Sequence, residues 1–170
     1  MMLSLVTTGV APKSFYELDS EGEPQRAHYD GLPVEFIAEE ISTLGVAVVD
    51  GFETYHVMNP HDDGIDMDTF VGWLVDAGYP IQRVDEYGAW LERFETTLRA
   101  LPERQRNASL LPLLHNYQKP EHPVNGAVAS TERFRAAVQD AKIGPDKDIP
   151  HVTAPVIVKY ITDLKLLGLL

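Results

Sequence analysis

Three groups of residues have types and spacings that could do chemistry. The first is His56…His61-Asp62-Asp63…Asp66…Asp68, whose imidazoles and carboxylates would suit a divalent cation. EF-hand spacing is missing, because the twelfth position counted from Asp62 is Trp73 rather than a glutamate. The plainer reading is a polar loop with an aspartate that caps the helix after it. The second group is His28-Tyr29-Asp30, an imidazole and a phenol beside a carboxylate. Such a set could move protons, or Asp30 could simply cap the next helix. The third is Arg26, alone in an acidic stretch, where a guanidinium could hold a phosphate or a carboxylate. A surface ion pair with Glu21 or Glu23 is the competing use, and it would be weak. Tyr16 and Phe15 could line a pocket or anchor the core. His115, His122 and His151 stand isolated and read as surface or helix-end histidines.

Composition narrows the chemistry further. The 170 residues contain no cysteine, which excludes disulfides, thiolate metal sites and cysteine nucleophiles together. The net charge is −12, from 14 basic and 26 acidic residues. An acidic surface repels phosphate backbones, so nucleic acid is not an expected partner. No G-x-G-x-x-G, P-loop, H-E-x-x-H or G-x-S-x-G is present, so neither a catalytic set nor a metal site is assigned. No apolar run is long enough to span a membrane, and the apolar start Met1–Val6 lacks a basic flank. A cytoplasmic location fits these features.

The elements that must position these residues are mostly helical. Residues 1–31 read as an irregular approach, with a helix end at 1–8 and a polar loop at 19–24. A helix is predicted from Leu32 to Leu44, with Asp30 or Gly31 as cap, Pro33 in its first turn and Gly45 at its stop. Val34, Ile37, Ala38 and Ile41 share one face of it and predict the buried side. Phe52–Met58 reads as a strand closed by Asn59-Pro60, and Ile81–Val84 as a second strand. Between them Asp66 or Asp68 opens a helix that Gly78 closes. Tyr87, Trp90, Leu91, Phe94, Leu98 and Leu101 recur at spacings of three and four, the clearest amphipathic helix in the chain. Pro102 and Pro112 then break the chain into short helices. Residues 118–129 form a loop, a helix at 131–141 is expected to bury Phe134, Ala137, Val138 and Ala141, and a last helix starts near Thr153. The expected fold is mostly α with a small parallel β component. It divides by sequence into a loop segment 1–31, an α/β unit 32–84 and a helical part 85–170. Two strands are too few for a self-sufficient parallel sheet. One of them therefore belongs inside a small helical domain or to a sheet elsewhere. The second option predicts an exposed apolar surface.

His28-Tyr29-Asp30-Gly31-Leu32-Pro33-Val34-Glu35-Phe36-Ile37-Ala38 resembles the D-x-x-P-V-D-x-(V/I)-A signature that follows the catalytic part of extended short-chain reductases. Tyr55–Pro60 is similar to their next strand, at the edge of the Rossmann sheet. With Gly78–Ile81, Arg104–Leu114, Phe134–Val138, Lys142–Pro150 and the ending Leu164–Leu170, the whole chain resembles the end of actinobacterial carboxylic acid reductases.

The resemblance implies a C-terminal, substrate-side part of a thioester reductase domain that lacks most of the Rossmann sheet. In that family NADPH reduces an acyl thioester carried on phosphopantetheine, using a Gly-rich loop and a Tyr-x-x-x-Lys pair. Neither motif has a matching position here. The family's catalytic residues are therefore not carried over, and the chain alone is expected to be inactive and to bind no cofactor. The resemblance implies that Tyr16, Arg26, His28 and Tyr29 line the substrate cleft, with Arg26 toward the pantetheine phosphate. It names as partners the missing Rossmann half and an acyl carrier domain, with self-association through the orphaned apolar surface as a further expectation. The rival expectation is an independently folded helical module that docks a carrier protein or another chain.

Overall fold

The computed structural model describes residues 1–48 and 50–170. Its elements in chain order are α1 (Met2–Thr8), β1 (Val10–Pro12), α2 (Val34–Ala47), α3 (Met67–Asp76), β2 (Gln82–Val84), α4 (Tyr87–Ala100) and α5 (Glu103–Ala108). A 3-10 helix (Leu111–Tyr117), α6 (Glu132–Ala141) and α7 (Ala154–Leu166) complete the chain. The architecture is mostly helical with one small parallel sheet, as the sequence predicts. The residues fall into two compact units, each discontinuous in sequence.

The first unit comprises Met1–Gln25, Asp66–Pro123 and Ala154–Leu170. Its core gathers on α4, where Trp90, Phe94 and Leu98 are fully buried at the predicted spacing. The edge of Phe15 meets Trp90 at 5.5 Å between ring centroids, and Phe94 lies 5.0 Å away on the same helix. Phe70, Val71 and Leu74 of α3 and Ile157 and Ile161 of α7 bury their apolar stripes in the same unit. Asp66 caps α3 by accepting from the Thr69 amide at 2.8 Å.

The parallel sheet pairs β1 with β2, Val10 opposite Gln82 and Pro12 opposite Val84. β2 matches the second expected strand, while its partner is β1 rather than Phe52–Met58. Phe52–Met58 is not a strand; Phe52 is 89% exposed, and the Met58 amide bonds back to the His56 carbonyl. β1 escapes detection because it has only three residues and lies between Gly9 and Pro12, below the length at which alternation is visible. Its pairing is supplied by residues about seventy positions away, which no local pattern encodes.

The second unit comprises Arg26–Ile65 and Val124–Thr153. Its core is Phe36, Leu44, Phe134, Val138, Ile143 and Ile149, with Leu32, Tyr55 and Ala137 packed against it. α2 differs from expectation in two ways. It starts at Val34, after Pro33 at the N-cap position, and it runs through Gly45 to Ala47. Its buried residues are Phe36, Glu40 and Leu44, while Val34, Ala38 and Ile41 are exposed. Phe36 decides the rotation: its ring meets Phe134 edge-on at 6.4 Å, and a large aromatic buries more apolar area than the aliphatic stripe beside it. In α6, Phe134 and Val138 are buried as predicted, but Ala141 is exposed at the helix end.

Candidate functional site

His28, Tyr29 and Arg26 all lie in the second unit, on the segment that leads into α2. Burial and hydrogen bonding fix the first two. The His28 side chain is almost wholly buried, and its Nε2–H donates to the Asn59 carbonyl at 3.1 Å. A carbonyl only accepts, so this bond places the ring proton on Nε2. Nε2 also lies 3.3 Å from Asp30 Oδ1. Nδ1 is buried and without a hydrogen-bond partner among the described residues. The Tyr29 amide donates to the Ile65 carbonyl at 3.0 Å, and its carbonyl accepts from Asn59 Nδ2 at 3.1 Å.

Asn59, expected from the sequence only to close a strand, organises this segment. It is fully buried. Its amide donates to the Asp30 carbonyl at 2.8 Å, its carbonyl accepts from His28, its Nδ2 donates to Tyr29 and its Oδ1 accepts from the His61 amide at 3.0 Å. One side chain thereby pairs backbone groups on two segments, the Tyr29 carbonyl and the His61 amide. The only local signal is a polar residue before a proline, which reads equally well as a turn.

Arg26 does not pair with Glu21 or Glu23. Its Nη1 lies 2.6 Å from Asp62 Oδ1 and 3.3 Å from Asn125 Oδ1, and its Nη2 donates to the Asp62 carbonyl at 2.9 Å. Gly64 makes room for this arrangement. Its φ is +70°, and a Cβ there would stand 3.0 Å from Arg26 Nε. The Arg26 side chain remains about half exposed.

Tyr16 belongs to the first unit and is buried. Its hydroxyl accepts from the Met67 amide at 3.4 Å, and burial pushes the phenol well above its ordinary range. A phenol that stays protonated can donate but does not serve as a base. Phe15 is a core anchor against Trp90.

The residues of the proposed metal cluster each have other engagements. His56 bonds the Ser130 carbonyl at 3.1 Å and His61 the Ile149 carbonyl at 2.8 Å. Asp62 holds Arg26, Asp63 takes His151 at 2.8 Å, and Asp66 caps α3. Asp68 accepts from Ser14 Oγ, the Phe15 amide and Arg83 Nη1 at 2.6, 3.2 and 2.9 Å. Among the described residues no group of three or more potential ligands converges. His61 and His151 stack at 3.6 Å, while His115 and His122 are exposed, the latter paired with Glu17.

Among the described residues, the turn from β2 into α4 does not fit a dinucleotide. The turn from β2 into α4 is Asp85-Glu86, two carboxylates where a pyrophosphate needs glycines and free amides. No helix of the described residues is long and apolar enough to cross a membrane.

No family model matches the chain. It is 72% identical over 170 residues to a carboxylic acid reductase of Mycobacterium marinum and 66% identical over 174 residues to one of Mycobacterium tuberculosis. All of this chain is matched in both, yet it spans only 14% and 15% of those proteins. It also superposes over its full length on the crystal structure of the reductase domain of a nonribosomal peptide synthetase from Mycobacterium tuberculosis. The TM-score is 0.86 at 57% identity, and 40% of that domain is covered. Along its whole length, then, the chain is similar to the C-terminal part of mycobacterial carboxylic acid reductases and of a peptide-synthetase reductase domain.

Proposed function

We propose that this chain is the substrate-side part of a thioester reductase domain, which encloses an acyl group delivered on phosphopantetheine while NADPH reduces it to an aldehyde. The observation that carries this reading is the collinear match of all 170 residues, at 72% identity, to a carboxylic acid reductase. The hydride donor and the Tyr-x-x-x-Lys pair belong to the remainder of the domain, for which this chain has neither the Gly-rich turn nor the dyad. The partners are that Rossmann portion and an acyl carrier domain. The chain alone is inactive.

Within this reading the residues have distinct duties. The half-exposed Arg26 meets the pantetheine phosphate in competition with Asp62, since a planar fork matches a phosphate through paired hydrogen bonds. The buried His28, held by Asn59, sets the backbone of residues 28–30 and so the direction of the Tyr29 ring beside the acyl chain. Tyr16, buried and held protonated in the first unit, lines the acyl side of that unit rather than moving a proton.

The test is a fused domain in which this chain replaces the matched part of the solved reductase domain. It should oxidise NADPH in the presence of a carrier-bound acyl thioester and release aldehyde, while the chain alone does neither. Turnover by the isolated chain, or a folded fusion without turnover, would sink the reading. A monodisperse, cooperatively melting isolated chain that captures carrier protein as tightly as the fusion does would favour the binding-module alternative.

A further inference from the structure

The chain has four asparagines, and the residues that follow them set one apart. Asn59 is fully buried and precedes Pro60, which has no amide hydrogen. Asn107 and Asn116 precede Ala108 and Tyr117 inside α5 and the 3-10 helix, whose hydrogen bonds fix the backbone. Asn125 alone precedes a glycine, and it is exposed in the loop between the 3-10 helix and α6. The Gly126 amide makes no hydrogen bond among the described residues, and a Cβ on Gly126 would meet no atom within 4 Å. Its nitrogen is an unhindered nucleophile beside a side-chain amide carbon, on a backbone free enough to reach it.

Arg26 completes the arrangement. Its Nη1 donates to Asn125 Oδ1 at 3.3 Å, and both residues lie in the second unit. Attack on Asn125 Cγ turns that oxygen into an oxyanion, and a guanidinium already bonded to it stabilises the charge as it develops.

We propose that Asn125-Gly126 is a self-modifying site whose deamidation Arg26 assists. The Gly126 nitrogen loses its proton and bonds to Asn125 Cγ, the Cγ–Nδ2 bond breaks, and ammonia leaves. Water then opens the five-membered imide. Opening at Cγ gives aspartate; opening at the backbone carbonyl of residue 125 gives isoaspartate, with one more carbon in the main chain. Either product puts a carboxylate where Arg26 now meets a neutral amide. A charge-assisted bond is about twice as strong as a neutral one, so the guanidinium is then held by two carboxylates, Asp62 and the new one.

The chain is incubated in mildly alkaline buffer, digested and mapped by tandem mass spectrometry, with a synthetic peptide of residues 123–129 as the clock. Residue 125 should gain about 1 Da and resolve into two chromatographic products, while Asn59, Asn107 and Asn116 keep their mass. Arg26→Ala should slow the conversion about threefold, the part of the oxyanion stabilisation that survives solvent screening. That difference should vanish in urea, where the two segments separate. An intact amide at 125 after the peptide has converted would overturn the site. Equal rates for Arg26→Ala and the parent chain in buffer would overturn the assistance. The effect on Arg26 as a phosphate ligand rests on the reading given under Proposed function. In the fused domain Asn125→Asp should raise KM for the carrier-bound thioester about threefold and leave kcat unchanged. An unchanged KM would overturn that effect. A fused domain without turnover would overturn the reductase reading instead, while the mass of residue 125 still decides the modification.

Discussion

Arg26 is held by Asp62 twice: its Nη1 lies 2.6 Å from the carboxylate and its Nη2 donates to the same residue's carbonyl at 2.9 Å. The carboxylate and an incoming phosphate would compete for one guanidinium, which gives opposite predictions for the two residues. In the fused reductase domain Arg26→Ala should raise KM for the carrier-bound thioester by roughly tenfold, the worth of one charge-assisted hydrogen bond. Asp62→Asn keeps the backbone contact and removes the competing charge, so it should lower KM. Neither should change kcat. Steady-state kinetics with varied carrier concentration decides this, and an unchanged KM for Arg26→Ala removes the phosphate role.

Asp148 is predicted to stabilise the second unit only above acid pH. Arg135 donates to it from Nε at 3.0 Å and Nη2 at 2.6 Å, and these bonds hold its carboxyl at about 2 instead of 3.8. A depressed folded value means the stabilisation is complete above the unfolded value and is lost as pH falls through the folded one. Both side chains are partly exposed, so screening limits the effect to about 1 kcal/mol. Urea melts of Asp148→Asn should show that deficit at pH 6 and converge with the parent chain near pH 2.

Gly144 should resist any side chain. Its φ is +81°, and a Cβ there would lie 2.8 Å from the Asp148 carbonyl and 3.3 Å from the Phe36 ring. Gly144→Ala combines left-handed strain with a clash against backbone, at a cost of about 1–3 kcal/mol. Chemical denaturation followed by far-UV circular dichroism measures it. A midpoint equal to that of the parent chain would show that the turn rearranges freely.

Asp68 should matter more than its exposed neighbours in the acidic cluster. It joins Ser14, the Phe15 amide and Arg83, which ties the end of β1 to α3 and β2. Asp68→Ala takes the acceptor from the Ser14 hydroxyl and the Phe15 amide, while Arg83 keeps the Pro12 carbonyl at 2.9 Å, and should cost about 2–3 kcal/mol. Asp68→Asn, which keeps the shape, should cost less. Both tryptophans, Trp73 and Trp90, lie in this unit, so intrinsic fluorescence during denaturation reports its stability.

The helices were legible where one apolar face dominates. The Trp90–Phe94–Leu98 stripe of α4 and the Phe134–Val138 pair of α6 have a single solution, and the structure adopts it. α2 was legible as a helix but not in its rotation, because two apolar arcs compete and only the position of Phe134 selects Phe36 over Ile41. Of the candidate site, the residue types were readable and the partners were not. Arg26 passed over nearby glutamates for Asp62, and Asn59 looked like a turn residue until its four bonds were seen.

By itself the sequence determined a helical, cysteine-free, acidic chain with one short parallel element and no phosphate cradle, because composition, periodicity and motif are local properties. Only the tertiary structure decided which strand pairs with β2, which arc of α2 is buried and which carboxylate holds Arg26. Each of these is a choice between partners of equal local merit. It is settled by packing and hydrogen bonding between segments far apart in the chain, where sequence spacing carries no information.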